Sequence, residues 1–189
     1  MTTLVVVKKN GRAALAADTL ARFGGTLESA EYIANADKLI SVGDAHLAPA
    51  GPASAQLVLR SYFDDPEHRV DFSGLQQIFE TFREMQSALK ESYHLNPKED
   101  ENDPFDSLQM EILLASPAGI FGVYPLRSVQ EYTKFYAFGS GAPYALGALE
   151  ALYDRFESAE ELARRAVAAA AKFDDSSEVP VTVRGVELA

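Results

Sequence analysis

The chain has 189 residues and a formal charge of −11, with 28 acidic against 17 basic side chains; phosphate-backbone binding needs clustered cations, so the balance argues against a nucleic-acid partner. Hydrophobic residues make up 47%, with eleven Phe and eight Tyr, enough for one domain over residues 1–189 with a full core, while no apolar run reaches the length that spans a membrane. The absence of cysteine removes disulfides, thiol nucleophiles and thiolate metal sites, and the N-terminus lacks the pattern of a signal peptide, so a cytoplasmic protein is expected.

The first eighteen residues read as a β-hairpin that starts at the chain end. Leu4–Val7 form an apolar run, Asn10-Gly11 is a strong two-residue hairpin signal, and Arg12–Thr19 returns alongside. With that turn opposed residues sum to 21, so Val6 faces Leu15 and Thr3 faces Asp18. Strict pleating puts Asp18 on the face of Thr3 rather than Thr2, which requires either a curled end or a bulge if Thr2 is to meet it. A terminus without a fixed job frays, so a threonine held there by a buried strand asks for an explanation, and nucleophilic catalysis is one.

Phe23-Gly24-Gly25-Thr26 and the polar segment to Asn35 read as a loop crossing the surface. Asp37–Val42 and Ala45–Ala50 flank Gly43-Asp44 as a second hairpin, with Lys38 opposite Pro49 at the start of its first strand. Helical spacing follows over Ala53–Tyr62 and again after Asp71, where Ser73 is placed to cap a helix whose stripe is Leu75, Ile78, Phe79, Phe82, Met85 and Leu89. The run from Lys98 to Pro104, within an acidic loop over 98–106, reads as a solvated loop.

Met110–Ala115 and Gly119–Tyr124 flank Ser116-Pro117-Ala118 as a third hairpin, and Val129–Tyr132 and Lys134–Phe138 are strand-like before Gly139-Ser140-Gly141. From Pro143 the pattern is helical; Ser158-Ala159-Glu160-Glu161 is a capping box opening a further helix to Ala171, and Val179–Leu188 reads as a final strand pair. Strands and helices in blocks predict a layered α+β domain with antiparallel sheets between helix layers, not a Rossmann alternation. There is neither a Walker loop nor a dinucleotide fingerprint, and His46, His68 and His94 lack metal-ligand spacing, so no cofactor or metal is expected.

Thr2-Thr3-Leu4-Val5, Ala17-Asp18 after the Asn-Gly turn, Lys38, Ala50-Gly51 and Phe138-Gly139-Ser140-Gly141-Ala142-Pro143-Tyr144-Ala145 together resemble the proteasome β-subunit superfamily, in particular the bacterial peptidase HslV and the β-proteobacterial proteasome homologue. The resemblance covers nearly the whole chain and is weakest in the middle helices and the acidic loop. It implies the four-layer αββα fold of N-terminal-nucleophile hydrolases and a threonine that attacks a peptide carbonyl with its own free α-amine as base. It assigns the nucleophile to Thr2 once Met1 is removed, the acidic position to Asp18, the lysine that lowers the hydroxyl pKa to Lys38, and the serine near the amine to Ser140. Asp174 and Ser177, spaced Asp-x-x-Ser after a helix, match the last pair of the site, although Asp175 and Ser176 beside them leave the register open. Where the family has a glycine whose N–H binds the oxyanion, this reading places Ala48, followed by Pro49.

The resemblance implies self-assembly into stacked rings, seven subunits per ring being favoured over six, polypeptide substrates, and an unfoldase ATPase as a partner. Two other functions fit the same residues. One is a catalytically silent ring that binds or scaffolds, for which a retained Met1 and Ala48 are the motives; the other is an amidase acting on small molecules, since fold does not fix function.

Overall fold

The apolar run at the N-terminus is buried on both sides, and that sets the architecture. Strand β1 (Leu4–Lys9) turns at Asn10-Gly11 into β2 (Arg12–Ala17), every pair summing to 21 from Leu4 opposite Ala17 to Lys9 opposite Arg12. Asn10 and Gly11 take φ of 50° and 74°, the positive values that a tight hairpin turn requires. Val5, Val7, Ala14 and Ala16 pack under one helical layer, while Leu4, Val6, Leu15 and Ala17 face the second sheet. A strand covered on both faces reads as continuous apolar sequence rather than alternation.

The structure is a computed structural model that describes residues 2–96 and 104–189. Met1 and residues 97–103, which take in most of the acidic run, lie outside the described residues. A short hairpin, β3 (Ala21–Phe23) and β4 (Thr26–Glu28), precedes β5 (Ile40–Val42) and β6 (Ala45–Ala50). Helices α1 (Ala55–Asp64) and α2 (Leu75–Ser92) follow, then β7 (Glu111–Ser116), β8 (Gly119–Val123), β9 (Val129–Tyr132) and β10 (Phe135–Phe138). Helices α3 (Ala142–Leu152) and α4 (Ala159–Ala170) and strand β11 (Thr182–Glu187) complete the chain.

Antiparallel strands in the order β10-β1-β2-β11 form one sheet, and β5-β6-β7-β8-β9 form the other. The first carries α3 and α4 on its outer face, and the second carries α1 and α2. Between the sheets lies a third core of Leu4, Leu15, Leu39, Ala48, Leu113 and Ile120, among others. The result is the four-layer α+β sandwich. Ile78, Phe82, Met85 and Leu89 of the α2 stripe are fully buried in this chain's own core, whereas Leu75 at the head of the helix is exposed.

Several expectations need correction. Residues 23–35 are not only loop, because Gly24-Gly25 turns β3 into β4 with Phe23 opposite Thr26. Strand β5 starts at Ile40 rather than Asp37, since Asp37 bends the chain by accepting the Leu39 N–H through its own side chain at 3.0 Å. Ser73 does not cap α2; its N–H donates to Asp71 Oδ1, and Gly74 stands at the N-cap without a side-chain bond. The β7–β8 turn is Pro117-Ala118 alone, because Ser116 pairs with Gly119. The expected pair at the C-terminus is one strand: Pro180 has no N–H to donate, and β11 pairs with the free edge of β2, Thr182 opposite Ala17 through Glu187 opposite Arg12. Ser158 caps α4 as expected, its hydroxyl accepting the Glu161 N–H.

Candidate active site

Asp18 is the first residue past the β2 ladder, and the end of pairing there frees its side chain to turn inward. Its main-chain N–H still donates to the Thr3 carbonyl at 3.2 Å, while the β1–β2 ladder runs without a bulge from Lys9 to Leu4. Thr2 therefore reaches Asp18 by curling at the chain end. The carboxylate is fully buried. Its Oδ1 accepts the Thr2 hydroxyl at 2.5 Å, the Thr3 N–H at 2.9 Å and Lys38 Nζ at 2.8 Å. Its Oδ2 accepts the Leu20 N–H at 3.0 Å and Lys38 Nζ at 2.9 Å.

Lys38 is held by its neighbours on both sides. Asp37 is fixed by Arg184 at 2.7 Å, and Arg60 donates to the Leu39 carbonyl at 2.7 Å. The ammonium so directed is 2.9 Å from Thr2 Oγ1. Burial pushes the Lys38 pKa below the usual lysine value, with the Asp18 carboxylate acting in the opposite direction. The Thr2 oxygen thus donates its proton to a carboxylate and accepts from an ammonium, so negative charge developing on it meets a cation already in place.

Gly139-Ser140-Gly141 presses against this terminus, and the two glycines are required by space. A Cβ on Gly139, where φ is +92°, would lie 2.1 Å from the Thr2 carbonyl oxygen, and one on Gly141 would lie 1.9 Å from Thr3 Oγ1. Ser140 Oγ donates to Asp174 Oδ2 at 3.0 Å and stands 3.4 Å from the Thr2 carbonyl oxygen. Ser177 Oγ donates to the same Asp174 oxygen at 2.5 Å and is 2.6 Å from Thr3 Oγ1. Since the Ser177 proton is directed to a carboxylate, Thr3 is the donor in that last contact. The open register is thereby resolved: Asp174 and Ser177 face the terminus, while Asp175 pairs with Arg22 at 3.5 Å and accepts from Ser176 at 2.8 Å.

Ala48 does not join this group. It lies in β6 opposite Leu113, with its side chain in the core between the sheets. The cleft beside Thr2, about 570 Å³, is bordered instead by Lys38, Pro49 and Gly51, together with Arg22 and Glu28. Gly51, just past β6, is free of both ladders and borders the cleft, as do Pro52, which has no N–H to offer, and Ala53. A Cβ there would lie 2.8 Å from Met110 Cβ, so glycine lets the chain turn tightly along the cleft wall. Gly51 rather than Ala48 therefore borders the cleft beside Thr2.

Sequence reasoning did not single out Thr3, Leu20, Arg22 or Glu28. For Thr3 a signal was available in its place opposite Asp18; Leu20 and Arg22 reach the cleft just before and within β3, and Glu28 at the end of β4, a hairpin that the polar sequence there does not announce. Among the described residues no three His, Asp or Glu side chains stand together as a metal site. His46 bonds with the Ser41 hydroxyl at 3.0 Å, and His68 stacks on Tyr62 at 3.9 Å. No described helix is long and apolar enough to cross a membrane.

A family model described as proteasome subunit matches residues 108–186. Among solved structures, the chain is 45% identical to Thiobacillus denitrificans BPH, with a TM-score of 0.92 over 99% of this chain and 98% of that one. Against Thiobacillus denitrificans BPH in complex with epoxomicin it is 44% identical, with a TM-score of 0.91 over 99% of each chain. HslV from Trypanosoma brucei shares the fold at 20% identity, with a TM-score of 0.70 over 98% of this chain and 99% of that one. No curated protein matches.

Proposed function

This chain belongs to the proteasome-subunit family, and from that premise we propose that it is a threonine-type endopeptidase whose nucleophile is Thr2. The observation that carries the reading is the buried contact of Thr2 Oγ1 with Lys38 Nζ at 2.9 Å and Asp18 Oδ1 at 2.5 Å. Buried ion pairs are costly to build for stability alone, and this one is aimed at a hydroxyl on the rim of a cleft.

With the Met1–Thr2 bond cleaved, the Thr2 α-amine, whose ordinary pKa is about 8, is the base at neutral pH. It takes the hydroxyl proton as Oγ1 adds to a peptide carbonyl carbon. The Lys38 ammonium stabilises the developing charge on Oγ1, and Asp18 holds hydroxyl and ammonium together. The oxyanion formed on the former carbonyl is met by the Gly51 N–H. Collapse breaks the C–N bond, the departing amine takes its proton from the Thr2 ammonium, and water then hydrolyses the ester on Thr2. Ser140, Asp174 and Ser177 are positioning residues in this scheme, fixing Thr2 and Thr3. Thr2 is small enough for methionine-removing aminopeptidases to accept.

The same reading extends to assembly as stacked homo-oligomeric rings, heptameric by resemblance, in the cytoplasm, with an unfoldase ATPase supplying polypeptide. In keeping with self-association, Phe23 and Tyr32 are each 80% exposed, adjacent in sequence to Arg22, Gly24 and Ile33, which border the cleft. The test is turnover by purified protein of an unfolded protein and of short fluorogenic peptides, beside Thr2→Ala. Hydrolysis of both, lost in the variant, is expected. Hydrolysis of small amides alone would favour the amidase reading, and binding without any turnover would favour a scaffold. Sedimentation as a monomer at all concentrations would contradict the rings.

A further inference from the structure

Three charged side chains border the cleft: Arg22, Glu28 and Lys38. Lys38 is neutralised by Asp18 at 2.8 Å, and Arg22 is drawn toward Asp175 at 3.5 Å with Ser176 at 3.4 Å. Glu28, the last residue of β4, is different. Its main chain pairs with Ala21, which also borders the cleft, so the short β3–β4 hairpin fixes where it stands. The side chain is half-buried, and among the described residues its carboxylate takes part in no hydrogen bond or ion pair. The residues that β6 and the segment after it contribute, Pro49, Gly51 and Gln56, are neutral. With the two cations matched, the cleft keeps one uncompensated negative charge, within a chain whose formal charge is −11.

A partly desolvated carboxylate without a partner is a standing electrostatic cost that a cation relieves. An extended substrate laid along the cleft with its carbonyl at Thr2 must pass the residues that border it. We propose that Glu28 is a subsite carboxylate that selects peptides carrying a lysine or arginine side chain on the segment bound in the cleft, an inference that rests on the peptidase reading. Apposition of Glu28 to an acidic side chain is disfavoured by the same field, so selection acts in both directions.

The experiment compares otherwise identical fluorogenic peptides bearing lysine, norleucine or glutamate at each of the three positions before the scissile bond. Both hydrolysis and binding, the latter by anisotropy of labelled peptides, are read. At one position the lysine peptide is expected to exceed the norleucine peptide in kcat/KM by about tenfold at low salt, as for a partly shielded pair of opposite charges, and by less at high salt. Glu28→Gln should bring that ratio to about one, and Glu28→Lys should invert it toward glutamate; Glu31→Gln, an exposed neighbour outside the cleft, should leave it unchanged. Equal handling of lysine and norleucine at all three positions, or a preference that survives in both Glu28 variants, overturns the inference. A Glu28-dependent preference in binding without hydrolysis of any peptide supports the subsite and instead overturns the peptidase reading.

Discussion

Replacing Lys38 by methionine tests whether the buried pair is the energetic centre of the site. In Lys38→Met the fully buried Asp18 carboxylate loses both contacts from Nζ, at 2.8 and 2.9 Å, and keeps the Thr2 hydroxyl and the N–H groups of Thr3 and Leu20. Removing one member of a buried ion pair costs about 3–5 kcal/mol. Two effects move the expected value to the low end, about 3 kcal/mol: three donors remain, and the ammonium was itself disfavoured by burial. Asp18→Asn leaves the opposite charge unmatched at comparable cost. The double variant leaves neither charge, so its loss should fall short of the sum by about 2 kcal/mol. Urea unfolding at one fixed protomer concentration gives the three values, because assembly would otherwise shift the midpoint. Additivity within about 0.5 kcal/mol would refute the pairing argument.

Gly141→Ala would place a methyl 1.9 Å from Thr3 Oγ1; the terminus must move, at a cost of about 1–3 kcal/mol, and peptide turnover should fall far more than stability, as read from kcat beside the urea midpoint. The pH dependence of stability carries the Lys38 signature. Its pKa is lowered in the folded state, so between that value and the ordinary lysine pKa of about 10.4 the unfolded chain binds more protons, and folding stability gains as pH rises through the window. The stability gap between the native protein and Lys38→Met should therefore widen with alkaline pH, and a gap that narrows would contradict the direction.

What the sequence made legible was what local chemistry determines. Asn10-Gly11 fixes a register by itself, so the pairing that brings Asp18 to the chain end could be counted. Gly43-Asp44 did the same for Ile40 opposite Leu47. The burial of Lys38 could not be counted, because its partner lies on another sheet and the pair meets only when the two sheets stack. Ala48 and Gly51 illustrate the same limit: both occur where a small residue was sought, and only the ladders on each side of β6 show which backbone is free. The C-terminal segment misled for a third reason. A strand that completes a distant edge has the same apolar-polar pattern as one that folds back on its neighbour.

The central claim, that Thr2 is a free N-terminal nucleophile, is tested most directly by intact and N-terminal peptide mass after treatment with a peptide epoxyketone. Such a reagent offers a ketone carbon to a hydroxyl and an adjacent epoxide carbon to an amine, so one residue must present both, and epoxomicin is the compound named with Thiobacillus denitrificans BPH. The account predicts a chain that begins at Thr2 and carries the whole mass of the reagent on its first peptide, lost in Thr2→Ala. A chain that has shed Met1 and still takes up no reagent, or takes it up elsewhere, would contradict it.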